Sequence, residues 1–383
     1  MAGFFIYFHP CINRICGEDF TIWTYRKKPN LTPMFKKLVI TLLIVAVLAA
    51  TYVGWQFFTD NTAFSGKSKF LYIRTGHATW PEVLKTLRDS HFIKSPMAFD
   101  LVAKRLELPQ HLQAGRYEIK KGMSLIDIAR LLRNGKQTPV NLVITKLRTK
   151  ENLAALIGRK LECDSATVMA WLNNPDSLQP YGLDTSTVMA MIYPNTYTYF
   201  WNAPLHRIFD KFHAEYKKIW TEERREMARQ RGLTPVTAYI LASIVEEESN
   251  AREDRDTIAS VYLNRLQKNM KLQADPTVKF AMRDFTLKRI YLKYLTVESP
   301  YNTYMNVGLP PGPICTPSLS AIEAVLQSPQ TDYLYFVAKS DFSGRHVFST
   351  TYREHLVKAK DFQKALDLEL QRRASAVDDI EVK

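Results

Sequence analysis

Hydrophobic and polar positions divide the chain into distinct stretches. Residues 38–58, LVITLLIVAVLAATYVGWQFF, run through 21 positions without a charge. As a helix rising 1.5 Å per residue, such a run spans roughly the 30 Å hydrocarbon layer of a bilayer. A transmembrane helix is expected there, with Trp55 suited to the interface. The rival reading is a cleaved signal peptide. The run is longer than a usual signal core and no small-x-small cleavage site comes after it, which favours a retained anchor. Residues 59–67, TDNTAFSGK, are polar and turn-rich and read as a linker.

Shorter periodic segments come next. KFLYIRT alternates as a strand, and ATWPEVLKTLRDSHFI sets Val83, Leu84, Leu87 and Phe92 at helical spacing. Residues 96–106 predict another helix, AGRYEI a strand, and SLIDIARLLRNG a helix stopped at Gly135. A second unit opens near Thr138 with the strand PVNLVIT and a helical region over 150–173. MIYPNTYTYFW succeeds it, its aromatics fitting a groove or a packed core equally well. A polar helix contains the run Glu222 to Arg231, and Thr234 as N-cap with Pro235 after it starts the helix TPVTAYILASIVEEESN. REDRDTIASVYLNRL then places Ile258, Val261, Tyr262 and Leu266 on one helical face. A Pro/Gly-rich loop at 308–318 and two late strands in TDYLYFVAK and HVFSTT complete this unit near Leu366, beyond which residues 367–383 read as a frayed tail. The fold class expected is α+β: one N-terminal transmembrane helix, a small α+β subdomain over 68–137, and a larger mixed α+β domain over 138–366.

Charge orients this plan. Residues 1–37 hold six Lys/Arg against Glu18 and Asp19, so the positive-inside rule keeps them in the cytoplasm and exports the chain beyond residue 58. MFKK before the apolar run makes Met34 a natural start, with residues 1–33 then a mis-assigned beginning; Ala2 peptides from the native protein would refute this. The net charge of +14 falls by four, to +10, once residues 1–37 are set aside. Such a surplus suits an anionic wall polymer or membrane surface, or is simply a basic solvated exterior. Nucleic acid is disfavoured as a partner by the exported topology and by the lack of a basic stripe interleaved with aromatics. Four cysteines are too few for a disulfide framework. Cys11 and Cys16 fall on the cytoplasmic side; Cys163 and Cys315 fall outside, where pairing is open.

The chemistry concentrates in VEEES. At about 100° per residue with Ile240 at zero, the apolar face of that helix centres near 70°. Glu248 falls at about 80°, while Glu246 near 240° points away and Glu247 near 340° sits on the border. Runs of glutamate are usually solvated faces. Glu248 differs because a carboxylate aimed at the core, at a helix C-terminus, loses hydration and meets the negative end of the macrodipole, so it holds its proton more tightly. A general acid near neutral pH requires that property.

LASIVEEES, SVYLNRL, LQADPTV, YNTY, GLPPGPI with TP, and DYLYFVA, in that order, resemble the YceG-like endolytic murein transglycosylases over roughly residues 70–360. The stretch Gly115–Gly135 also resembles a LysM-like module that binds N-acetylated glycans, a pattern shared by many small α+β domains. The resemblance implies a single-pass protein of the bacterial cytoplasmic membrane, its N-terminus inside and its catalytic domain outside, with Glu248 as the essential acid. It implies cleavage of the β-1,4 bond between N-acetylmuramic acid and N-acetylglucosamine within glycan strands, leaving a 1,6-anhydro end and limiting nascent strand length. Asn195 in YPNTY departs from the Asp that such proteins often carry, leaving a role for that position in doubt.

One catalytic carboxylate suffices for this scheme, whereas ordinary glycosidases use a pair. Gln273, Asp275 and Asn302 are candidates to orient the acetamido group and hydroxyls, with Ser249 and Tyr301 behind them. Asp275 before Pro276 equally fits a cap, and Asn302 a loop tie. Two rivals remain: a muramidase using Asp275 or Glu246 as second carboxylate, and a membrane-anchored glycan-binding scaffold that recruits cell-wall synthases. No cofactor is expected, because no Gly-rich phosphate loop is present. The eight histidines lack ligand spacing, so no metal is expected either.

Overall fold

Helix α1 (Pro33–Phe58) takes in the uncharged run together with Lys36 and Lys37 ahead of it. Within it Met34–Tyr52 is long and apolar enough to cross a bilayer, and none of that stretch is buried. The computed structural model describes residues 33–249, 251–287 and 289–381. Most of the expected cytoplasmic segment, including Cys11 and Cys16, lies outside these residues. The chain divides after Phe58 into two units, and the second carries the rest of the fold.

Strand β1 (Ser68–Ile73) pairs antiparallel with β2 (Gly115–Lys120), Ile73 opposite Gly115. Helices α2 (Trp80–Asp89), α3 (Pro96–Arg105) and α4 (Leu108–His111) lie between the strands, and α5 (Leu125–Arg133) comes after them, opened by a capping box between Ser124 and Asp127. Alternation buries Leu71 and Ile73 on one strand and Tyr117 and Ile119 on the other, with Leu87, Phe99, Ile128 and Leu132 supplied by the helices. Residues 59–67, expected as a linker, hold part of their length against the subdomain. Asn61 and Thr62 are buried, Asn61 N–H donates to Met123 O, and Ala63 N–H donates to Phe92 O. Two polar side chains of this segment also bond the subdomain: Asn61 Oδ1 accepts from Ser95 N–H at 3.0 Å, and Thr62 Oγ1 accepts from Gly122 N–H at 3.2 Å.

Strand β3 (Val140–Ile144) pairs antiparallel with β4 (Asn195–Tyr199). Around them lie α6 (Lys150–Lys160), α7 (Ser165–Leu172), α8 (Pro175–Leu178) and α9 (Leu205–Ile219). Tyr197 and Tyr199 are buried with Leu142, Phe209 and Phe212, and the Tyr197 and Phe212 rings meet edge-on at 4.8 Å. Between core and groove, these aromatics belong to the core.

A helical layer succeeds these strands: α10 (Glu222–Gln230), α11 (Pro235–Glu248), α12 (Arg252–Gln267), α13 (Asp275–Met282) and α14 (Leu319–Leu326). Every α11 residue from Ala238 to Glu246 is buried, so the helix is central rather than amphipathic. One apolar face was expected, with Glu246 turned outward. The difference arises because the 308–318 loop crosses the other side: Ile314 N–H donates to Ser243 Oγ at 3.0 Å, and Thr316 N–H donates to Leu147 O. Gly312 permits that crossing, since a Cβ there would lie 2.1 Å from Ser186 O. Cys315 in this loop and Cys163 are both free thiols. The hairpin β5 (Tyr335–Ala338) and β6 (His346–Ser349) precedes α15 (Tyr352–Glu381). The expected tail beyond Leu366 is instead a continuation of α15, in which neither glycine nor proline stops the helix.

Candidate active site

Three consecutive glutamates at the end of α11 have three different fates. Glu246 is buried against Arg255, with Nη1 3.0 Å from Oε2, and it accepts a 2.6 Å hydrogen bond from Ser318 Oγ. Glu247 pairs with Arg148 at 2.9 Å and Lys146 at 3.1 Å. Burial opposes its ionisation, but those two cations prevail and hold its carboxyl below the ordinary value. Glu248 makes no ion pair among the described residues. Burial, reinforced by the charge of Asp275, pushes its carboxyl up to about 7, against the opposing hydrogen bond from Tyr262 and the charge of Lys279. Half protonated near neutral pH, it is suited to give and then take a proton.

Glu248 opens onto a pocket of about 280 Å³, shared with Arg265, Leu272, Gln273, Asp275, Tyr304, Phe336 and His355. Each wall has a local cause. Pro276 fixes the first turn of α13 and sets Asp275 at its start, where a carboxylate is favoured by the helix dipole. Tyr304 OH donates to Asp275 Oδ1 at 2.7 Å. Tyr262 on α12 donates to Glu248 Oε2 at 3.3 Å, and burial together with the neighbouring carboxylate keeps its phenol protonated. Phe336 arrives on β5, packed edge-on against Tyr262 at 5.8 Å. His355 arrives on α15, stacked on Tyr335, and burial lowers its proton affinity. A larger hollow of about 490 Å³ beside β1 and α2 shares no lining residue with this pocket. Chemistry rather than size selects the Glu248 pocket, where burial raises the proton affinity of a carboxylate on the wall.

The candidates from the sequence separate into two groups. Glu248, Gln273 and Asp275 come together on one pocket. Asn302, Ser249 and Tyr301 are not among its lining. Asn302 is fully buried and ties its own loop, with Nδ2 donating to Leu295 O and Val297 O. Ser249 Oγ accepts from Ala251 N–H just past α11. Tyr301 packs on Phe280 at 4.6 Å. Asn195 hydrogen-bonds Glu215 on the surface. Tyr262, Arg265, Tyr304, Phe336 and His355 complete the site without having been singled out for it. The signal for the first two was their i, i+3 spacing on one face of α12, which points Arg265 to the same side as Tyr262. Among the described residues no group of three or more His, Cys, Asp or Glu side chains is placed to hold a metal ion.

Known proteins are similar to this chain over most of its length. The chain is 33% identical to an endolytic murein transglycosylase of Bacillus subtilis over 296 residues, covering 73% of this chain and 80% of that protein. It is 27% identical over 355 residues to an endolytic murein transglycosylase of Streptococcus pneumoniae, covering 84% of this chain but only 64% of that longer relative. A crystal structure of a YceG-like protein from Listeria monocytogenes superposes with a TM-score of 0.50 at 31% identity, over 76% of this chain and 98% of that one. The YceG-like family model matches residues 71–361, most of the sequence, and the chain belongs to the YceG-like family.

Proposed function

We propose that this chain is a membrane-anchored endolytic murein transglycosylase with Glu248 as its acid and base. The observation that carries the reading is the contrast within VEEES: of three adjacent acids, the one that makes no ion pair among the described residues opens onto a pocket and holds its proton to about 7. Relatives named endolytic murein transglycosylase supply the substrate class.

Cleavage begins with Glu248 protonating the glycosidic oxygen as the bond to muramyl C1 breaks and its electron pair leaves with the N-acetylglucosamine oxygen. The cationic centre at C1 is stabilised by the sugar's acetamido group and by the negative field of Asp275. Glu248, now a carboxylate, removes the proton from the muramyl 6-hydroxyl while O6 bonds to C1. The product is a 1,6-anhydro end, no water is consumed, and Glu248 is protonated again. Tyr262 and Tyr304 act as positioning groups, the first holding Glu248 and the second Asp275.

In this reading α1 is a single anchor in the bacterial cytoplasmic membrane, with the basic segment before it inside and residues from 59 onward outside. Residues 68–137 serve as a glycan-binding, LysM-like subdomain, residues 138–366 as the catalytic domain, and cleavage limits the length of nascent strands. Asp275 on the same pocket favours one rival, hydrolysis by a carboxylate pair. Glu246, locked to Arg255, is a poorer second carboxylate. Borohydride reduction of the products separates the two reactions. Transglycosylation gives anhydro ends that resist reduction, hydrolysis gives reducible muramic acid, and a synthase-recruiting scaffold gives neither.

A further inference from the structure

We propose that Gln273 reads the 2-acetamido carbonyl of a bound N-acetylated sugar through its Nε2 hydrogens, and that Arg265 is the positioning residue that turns its amide to do so. The inference rests on the transglycosylase reading and adds which substrate group each side of the pocket receives.

Arg265 is buried and has no carboxylate partner among the described residues. Its Nε donates to Leu334 O at 2.6 Å, and its Nη1 donates to Leu272 O at 2.9 Å, Lys271 O at 3.1 Å and Gln273 Oε1 at 3.2 Å. The guanidinium also lies over the Tyr335 ring at 5.1 Å. An amide whose oxygen is committed to a guanidinium presents its NH2 group to an entering ligand. Gln273 is itself exposed and lines the pocket with Glu248.

Its backbone marks the same point. Gln273 is held at φ 54°, a left-handed conformation that costs an L-residue and suits Gly or Asn better. The backbone N–H of Gln273 donates to Thr303 O, and that of Ala274 donates to Thr303 Oγ1 at 3.0 Å. The strain is held from outside, the pattern of a side chain fixed for use.

Charge then selects the ligand group. Beside Gln273 stand Asp275 and, neutral in its acid form, Glu248, while the Arg265 guanidinium is engaged by carbonyl oxygens; the field of Asp275 disfavours a peptide-stem carboxylate and admits a neutral carbonyl. With C1 at Glu248, the neutral carbonyl nearest the reacting bond is the acetamido group on C2.

The test is calorimetric binding of uncrosslinked glycan strands, either N-acetylated or chemically N-deacetylated, to the full chain in detergent. A Glu248→Gln background keeps the strands intact. Adding Gln273→Glu preserves an acceptor for Arg265 and removes the NH2 donors. It should weaken binding to acetylated strands about tenfold and leave binding to deacetylated strands, now bearing amines, unchanged or tighter. Arg265→Lys, which loses the planar fork, should weaken binding to acetylated strands alone, in protein shown to be folded by thermal unfolding. Equal losses on both strands, no loss on acetylated strands, or no measurable binding to acetylated strands by the Glu248→Gln protein overturns the proposal. Cleavage by wild type, read separately for anhydro ends, reports on the transglycosylase reading and not on this one.

Discussion

Arg255 grips Glu246 at both carboxylate oxygens, 3.0 Å from Nη1 to Oε2 and 3.2 Å from Nη2 to Oε1. Both side chains are buried, so neither is replaceable by solvent. Removing one partner strands the other charge, which typically costs about 3 kcal/mol or more. Glu246→Ala should therefore unfold at lower urea by roughly that amount, while the folded fraction keeps its cleavage activity. Folded Glu246→Ala protein as inactive as Glu248→Gln would mean that Glu246 belongs to the chemistry.

The proton on Glu248 sets a pH limit. With its carboxyl raised to about 7 by burial and by Asp275, the acid form is lost as pH rises through 7, and kcat/KM should fall above that point. Asp275→Asn removes the neighbouring charge and should move this alkaline limb to lower pH. Tyr262→Phe removes a hydrogen bond that favours the carboxylate and should move it to higher pH. Rate profiles of the two variants that shift in the same direction would contradict this assignment.

Stability carries the same signature. In the unfolded chain Glu248 titrates near the ordinary 4.5, and in the folded protein near 7. Between those values the folded state binds the extra proton, so stability falls as pH rises through the window. Below it the acid is neutral in both states. Glu248→Gln should thus unfold close to wild type at pH 4 and at a higher temperature than wild type at pH 8, when the two are melted side by side. A gap that does not widen with pH would show that the carboxyl is not held protonated.

Helical periodicity could place Glu248 among apolar neighbours because they lie within the same two turns of α11. The fates of Glu246 and Glu247 were hidden for the opposite reason. Their partners sit elsewhere in the chain: Arg255 nine positions away, Ser318 72 positions away and Arg148 99 positions away. Within YNTY, composition could not decide which side chain faces the pocket. The turn buries Asn302 against Leu295 and Val297 and leaves Tyr304 for Asp275. Phe336 and His355 reach the site only because β5 folds back onto α12 and α15 packs on the β5–β6 hairpin, pairings that local spacing does not encode. Strand and helix positions were legible from period-2 and period-3.6 patterns, whereas the packing of residues 59–67 and the persistence of α15 past Leu366 depended on hydrogen bonding and on the absence of a stop signal.

The most direct measurement is digestion of purified, uncrosslinked glycan strands by the full chain in detergent, wild type beside Glu248→Gln, with products identified by mass spectrometry. Wild type should make internal cuts ending in 1,6-anhydro-muramic acid, and the variant should lose at least about a hundredfold in rate although it binds strands and stays folded. Cleavage by Glu248→Gln at the wild-type rate, or reducing ends in place of anhydro ends, would contradict this mechanism.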